Sequence, residues 1–256
     1  MHFAAFISLL LFSCSSVEQK SPQAYDFSKP SNVFELPEEL KEVSGIVYLE
    51  DELLACVQDE VGAIYYYNLK SEKITDKQGF AIEGDYEDIA KKGDVYYILK
   101  SNGTIYEKTD LEIKKFPTDL NENDNTEGLC FDAAADRLLV GCKNNKGDSE
   151  TKRIYSFSLS DYKLSSQPVI KFKESKHFRI TALAIHPINK ELYVLSSNAV
   201  IIILDNTGKI KGKYNLDAML FQQPEGISFA TNGDLYISNE AKSSNATIVK
   251  YNFLKK

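Results

Sequence analysis

Through most of the chain, short apolar runs are closed by turn-forming residues, and no stretch shows a long 3.6-residue apolar period, which points to strands rather than helices. The runs come in sets. "EVSGIVY" (42–48), "DYEDIAK" (85–91), "NTEGLCF" (125–131), "ITALAIH" (180–186) and "QPEGISF" (223–229) each pass from polar positions into an apolar run. Their third residues are Ser44, Glu87, Glu127, Ala182 and Glu225; a slip of one places Thr181 in the fourth register, with "LAI" following as in the others. Steps between these positions run from 40 to 54 residues, a period of repeat architectures that includes propeller blades.

Each set continues alike. A second apolar run follows a turn: "ELLACVQDE", "DVYYILKSN", "RLLVGCKNN", "ELYVLSSNA" and "DLYISNE". A third is rich in Ile, Tyr and Val, as half-buried strands are: "AIYYYNL", "TIYEKT", "RIYSFSL", "VIIILDN" and "TIVKYNF". A weaker fourth run closes the first four sets, and the fifth lacks it. "NVFELP" (32–37), ahead of the first set, is a spare strand that would complete the last blade and remove two exposed sheet edges. The pattern therefore predicts an all-β, five-bladed β-propeller over residues 31–256, closed by an N-terminal strand; six blades is the alternative. "PEELKEV" offers at most one helical turn.

Composition changes this picture at the N-terminus. Residues 1–13, "MHFAAFISLLLFS", are free of Lys, Arg, Asp and Glu, too short to span a bilayer, and read as the apolar region of an export signal. They run into "LLFSC", which resembles a bacterial lipobox with Cys14 as the lipidated residue, although a basic region ahead of it is missing. Residues 14–30 then read as the lipidated Cys and a flexible tether. The expected location is the cell envelope of a Gram-negative bacterium, anchored in a membrane by the lipid, with the outer membrane facing the periplasm as the default. Three further cysteines, Cys56, Cys130 and Cys142, show no CxxC spacing and read as core residues, with a Cys130–Cys142 disulfide as the alternative.

Net charge is −7 and the basic residues are scattered, which argues against nucleic acid as a partner. "KIKGK" (209–213) reads as a solvated surface strand. In a propeller the first strand of each blade lines the central channel. Ser44, Glu87, Glu127, Thr181 and Glu225 would then form one ring at a channel mouth, with Gly45, Gly128 and Gly226 allowing close backbone approach. Three converging glutamates repel, and a hard cation with oxygen ligands relieves them, Ca²⁺ ahead of Mg²⁺. The competing reading is of solvated loop carboxylates. A second group closes the second strands: Asp59, Glu60, Asn102, Asn144, Asn145, Asn198, Asn239 and Glu240, which are ligands or ordinary turn residues.

The series "EVSGIVY…ACVQDE", "DYEDIA…YYILKSNGTIY", "NTEGLCFD…LLVGCKNN", "HPINKELYVLSSN" and "QPEGISFATNGDLYISNE" resembles the SdiA-regulated family of bacterial propeller proteins. The resemblance implies a five-bladed propeller, distantly similar to NHL-repeat propellers, with a calcium site and no established activity. Glu87, Glu127, Glu225, Asp59 and Glu60 match the family's acidic positions. "SSNAV" in the fourth set and "KNN" in the third stand where members carry acidic residues. Two functional readings stay open: a calcium-binding module presenting the channel mouth to a small ligand or an envelope protein, and a metal-dependent phosphoesterase or lactonase using the same mouth. A carbohydrate-binding propeller is a third, weakened by the absence of Trp among its residues.

Overall fold

The computed structural model describes residues 24–144 and 148–254. Cys14, the apolar leader 1–13, the first part of the expected tether and Asn145 lie outside the described residues. Among the described residues no helix is long and apolar enough to cross a membrane.

Five four-stranded antiparallel sheets form the blades of a β-propeller. Blade 1 holds β2 (Val43–Tyr48), β3 (Leu53–Gln58), β4 (Ala63–Asn68) and β5 (Lys73–Gly79). Blade 2 holds β6 (Tyr86–Lys92), β7 (Val95–Lys100), β8 (Ile105–Lys108) and β9 (Ile113–Phe116). Blade 3 holds β10 (Thr126–Asp132), β11 (Arg137–Cys142), β12 (Thr151–Ser158) and β13 (Ile170–Lys173). Blade 4 holds β14 (Ile180–Ile185), β15 (Leu192–Ser196), β16 (Val200–Leu204) and β17 (Ile210–Asn215). Blade 5 holds β18 (Pro224–Phe229), β19 (Leu235–Asn239), β20 (Thr247–Tyr251) and, outermost, the N-terminal β1 (Asn32–Glu35). Val33 pairs with Val249 and Phe34 with Ile248, so the first strand closes the ring as its spare run predicts.

Core residues sit between blades. β2, β6, β10, β14 and β18 pack against one another in turn, and β18 returns to β2. Each seam is filled from both sides. Ala55 and Ile64 of blade 1 meet Ile89 and Ile98 of blade 2, and Ile202 of blade 4 joins Leu139 and Ile154 of blade 3. The fourth strands carry the polar exterior: β17 alternates exposed and half-buried positions, and its Lys213 pairs with Glu174 at 2.8 Å.

One expectation is corrected here and one open alternative is closed. The predicted tether ends early: Tyr25 and Phe27 are buried at the seam of blades 4 and 5, and the Tyr25 hydroxyl donates to the Gly233 carbonyl at 2.6 Å. Aromatic surface of that size is held by the core even in a segment that is otherwise mostly polar. The alternative disulfide is absent: Cys56, Cys130 and Cys142 are buried, and none of them is in a disulfide. Cys130 lies opposite Leu139 and Cys142 opposite Thr126, so the register keeps them from being partners.

Candidate functional site

The ring positions are set by a repeated irregularity. In every blade the inner strand carries a β-bulge, and its extra residue is Ser44, Glu87, Glu127, Thr181 or Glu225. A bulged residue leaves the ladder and re-aims its side chain. The fourth register is therefore held by Thr181 and not Ala182. The glycine that follows has a packing reason: a Cβ on Gly45 would lie 2.5 Å from the Asp88 Cα, and one on Gly226 would lie 2.4 Å from the Ser238 Oγ.

The two hydroxyl members join blades. Ser44 Oγ donates to the Tyr86 carbonyl at 2.6 Å, and Thr181 Oγ1 to the Pro224 carbonyl at 2.9 Å. Each accepting carbonyl belongs to the residue just before the next blade's bulged glutamate. A second tier repeats as regularly. Asp59, Ser101, Lys143, Ser197 and Glu240 each follow the second strand and donate their N–H to the carbonyls of Glu42, Asp85, Asn125, Arg179 and Gln223, at 2.8–3.3 Å. These tiers and the bulge ring bring seven carboxyl side chains together with two basic ones, Lys143 and Arg179.

Within this mouth, a cavity of about 250 Å³ is lined by Ser44, Asp59, Asp85, Glu87, Asn125, Glu127, Lys143, Gln223, Glu225 and Glu240. A hollow of about 450 Å³ adjoins it across Asp59 and Asp85 and takes in Glu60 and Glu83. Lys143 Nζ lies 2.6 Å from Glu127 Oε1, to which Asn125 Nδ2 also donates at 2.8 Å. Glu127 is only 2% exposed, and its Oε2 is buried without a hydrogen-bond partner; so is Asp59 Oδ1. Glu240 accepts from Gln223 Nε2.

Electrostatics follow from this crowding. Burial, then the charges of Glu127 and Asp85, push Glu87 up to about 10. Burial also raises Glu127, with Lys143 pulling against it, and raises Glu225. Glu240 is pushed up to about 8 by burial, its hydrogen bond with Glu42 and the Glu225 charge, and Asp59 to about 6 by burial and Glu42. For Lys143, burial acts downward, and Glu127 and Glu225 outweigh it to raise the ammonium's pKa.

Of the sequence-predicted residues, the cavity gathers Glu87, Glu127, Glu225, Asp59, Glu240 and Ser44, while Glu60 stands in the adjoining hollow. Several second-strand residues serve local structure. Asn102 accepts from its own turn at Thr104, Asn198 from Ser196 and Asn239 from Gln223, while Asn144 accepts from Arg179. His186 lies elsewhere, buried among Tyr25, Tyr193, Phe229 and Phe253.

Sequence reasoning missed two residues. Lys143 stands in the register of Asp59 and Glu240, a signal available once the second strands are aligned. Asp88 stands where the other blades carry Gly45, Gly128, Ala182 and Gly226, and is 1% exposed. Its carboxylate crosses to a neighbouring blade, accepting from the Ile89 N–H at 2.8 Å and the Leu129 N–H at 2.6 Å. Burial pushes this carboxyl well above the usual range, and the N–H groups of Leu129, Ile89 and Leu183 pull against that. Asp88→Asn turns one acceptor into a donor facing an N–H. It should lower stability by roughly 1–3 kcal/mol, read as a fall in melting temperature; an unchanged Tm would show that Asp88 does not pin the blades.

The family model described as SdiA-regulated matches residues 91–243. No curated protein matches the chain. Among solved structures, Myxococcus xanthus glutaminyl cyclase is similar at a TM-score of 0.61 and 13% identity, covering 89% of this chain and 97% of that one. A chain of a nidogen/laminin complex gives 0.55 at 14% identity, with 77% and 72% covered, and a streptogramin B lyase gives 0.51 at 16%, with 88% and 73% covered. At these identities the likeness is one of fold.

Proposed function

The chain belongs to the SdiA-regulated family, and from that premise we propose that it is a cell-envelope lipoprotein, anchored through Cys14, whose propeller binds a ligand or partner protein at a cation-binding channel mouth. Ca²⁺ is the cation the donor set suits best. The donors are oxygens, several are carboxylates, and Ca²⁺ accepts many such ligands in loose geometry. Glu87, Glu127 and Glu225 would hold it, with Asp59 and Glu240 in reach of the same cavity.

The observation that carries this reading is Glu127 Oε2, a buried carboxylate oxygen with no partner at the wall of an acidic cavity. Such an oxygen costs free energy unless a hydrogen-bond donor, a proton or a cation meets it. As the side chains stand, no group of three or more His, Cys, Asp or Glu among the described residues is drawn to metal-ligand spacing. Glu127 Oε1 is engaged by Lys143 and Glu240 by Gln223, so a cation would exchange with these partners. The hydrolase reading would use the same mouth, and no observation favours it over binding.

The test is melting of the full chain in detergent with EDTA, then with Ca²⁺ or Mg²⁺, for the wild type and the double variant Glu127→Gln, Glu225→Gln. A ligand binding only the folded state at a hundred times its Kd adds about 2.7 kcal/mol. A Ca²⁺-dependent rise in Tm in the wild type and its loss in the double variant are expected. No rise, with no metal in the purified protein by elemental analysis, would remove the calcium reading.

A further inference from the structure

We propose that Lys143 is a tethered counter-cation that fills the mouth in the free protein and makes it selective for divalent over monovalent cations. The inference rests on the cation-binding reading above. Its grounds lie in the regular tier that closes the second strands. That tier places carboxylates in blades 1 and 5, Asp59 and Glu240, and an ammonium in blade 3. Lys143 reaches into the same cavity as Glu87, Glu127 and Glu225 and pairs with Glu127 Oε1 at 2.6 Å. It satisfies one oxygen of that carboxylate and leaves Oε2 unpartnered.

The Lys143 backbone is fixed, because its N–H donates to the Asn125 carbonyl at 2.8 Å. Its side chain is 17% exposed, so it already borders water. Held on a short tether, it competes at a high effective concentration. A monovalent ion that takes its place exchanges one positive charge for another and gains little. A divalent ion brings a second charge to a cavity that is acidic overall and reaches the oxygen that Lys143 leaves bare. Divalent ions therefore displace the lysine and monovalent ions do not.

The experiment is Ca²⁺ titration calorimetry on the full chain in detergent, with and without about 100 mM Na⁺, an ionic strength at which exposed charges are already screened beyond ~10 Å. Wild type, Lys143→Met, Lys143→Gln and Lys143→Arg are compared. Removing the charge should tighten Ca²⁺ binding at least tenfold and make Na⁺ an effective competitor, while Lys143→Arg should behave as wild type. A second measurement needs no variant. Labelling of Lys143 by an amine-reactive reagent, mapped by mass spectrometry, should rise at least threefold when Ca²⁺ is added to the wild type. If Ca²⁺ binds the wild type but neither the affinity nor the labelling responds, the role of Lys143 is overturned and the cation site stands. If Ca²⁺ binds neither the wild type nor the variants, both fall.

Discussion

A chain that begins at Pro37 should fail to form a soluble propeller, whereas one that begins at Ala24 should fold as the longer chain does. The shorter chain loses β1, and with it the ladder that pairs Asn32–Glu35 with Thr247–Lys250. β20 then becomes an exposed edge, free to pair with another molecule. It also loses Tyr25, Phe27 and Leu36, which are 0%, 5% and 7% exposed. Truncating a buried aromatic costs about 3–5 kcal/mol and a Leu about 2–5. Together these rival the whole net stability of a typical domain, about 5–15 kcal/mol. Size-exclusion chromatography and thermal melting decide the matter. A monomeric Pro37 chain with an unchanged Tm would show that the ring is held by its seams alone.

In EDTA, stability should fall as pH rises from 5 to 9, and added Ca²⁺ should flatten that fall. The sign follows from the mouth. Unfolded glutamates release their protons near 4.5, whereas folding raises Glu87 to about 10 and Glu240 to about 8. Between those values the native state holds more protons than the unfolded chain, so stability decreases with pH. The contribution of each group is complete below its unfolded pKa and is lost as pH rises through its folded one. The raised Lys143 ammonium acts in the same sense at the alkaline end. On the acid side the sign reverses for Asp205, which its hydrogen bond from Thr207 holds below the usual range. A mildly acidic optimum is therefore expected, most readily seen as Tm against pH in a metal-free buffer. A Tm that rises steadily to pH 9 without cation would mean that the mouth carboxylates are not buried together.

Much of this was written into the sequence. Short apolar runs closed by turn residues, recurring every 40 to 54 residues, marked five blades, because a strand buried among its neighbours reads locally as a continuous apolar run. The missing fourth run of the last set and the spare run at 32–37 pointed to ring closure. The recurring Ser-Gly and Glu-Gly pairs marked the ring positions, and only the strand register showed that each is the extra residue of a bulge. What each ring member does was decided by the tertiary structure. Ser44 and Thr181 face the next blade's carbonyls, Asp88 crosses to blade 3, and Lys143 enters among the glutamates. Tyr25 and Phe27 look like part of a polar linker until the seam of blades 4 and 5 closes over them. Local pattern encodes which face of a strand is buried. The meeting of charges and hydroxyls from different blades depends on closing the ring, which brings together residues far apart in the chain at distances no local rule specifies.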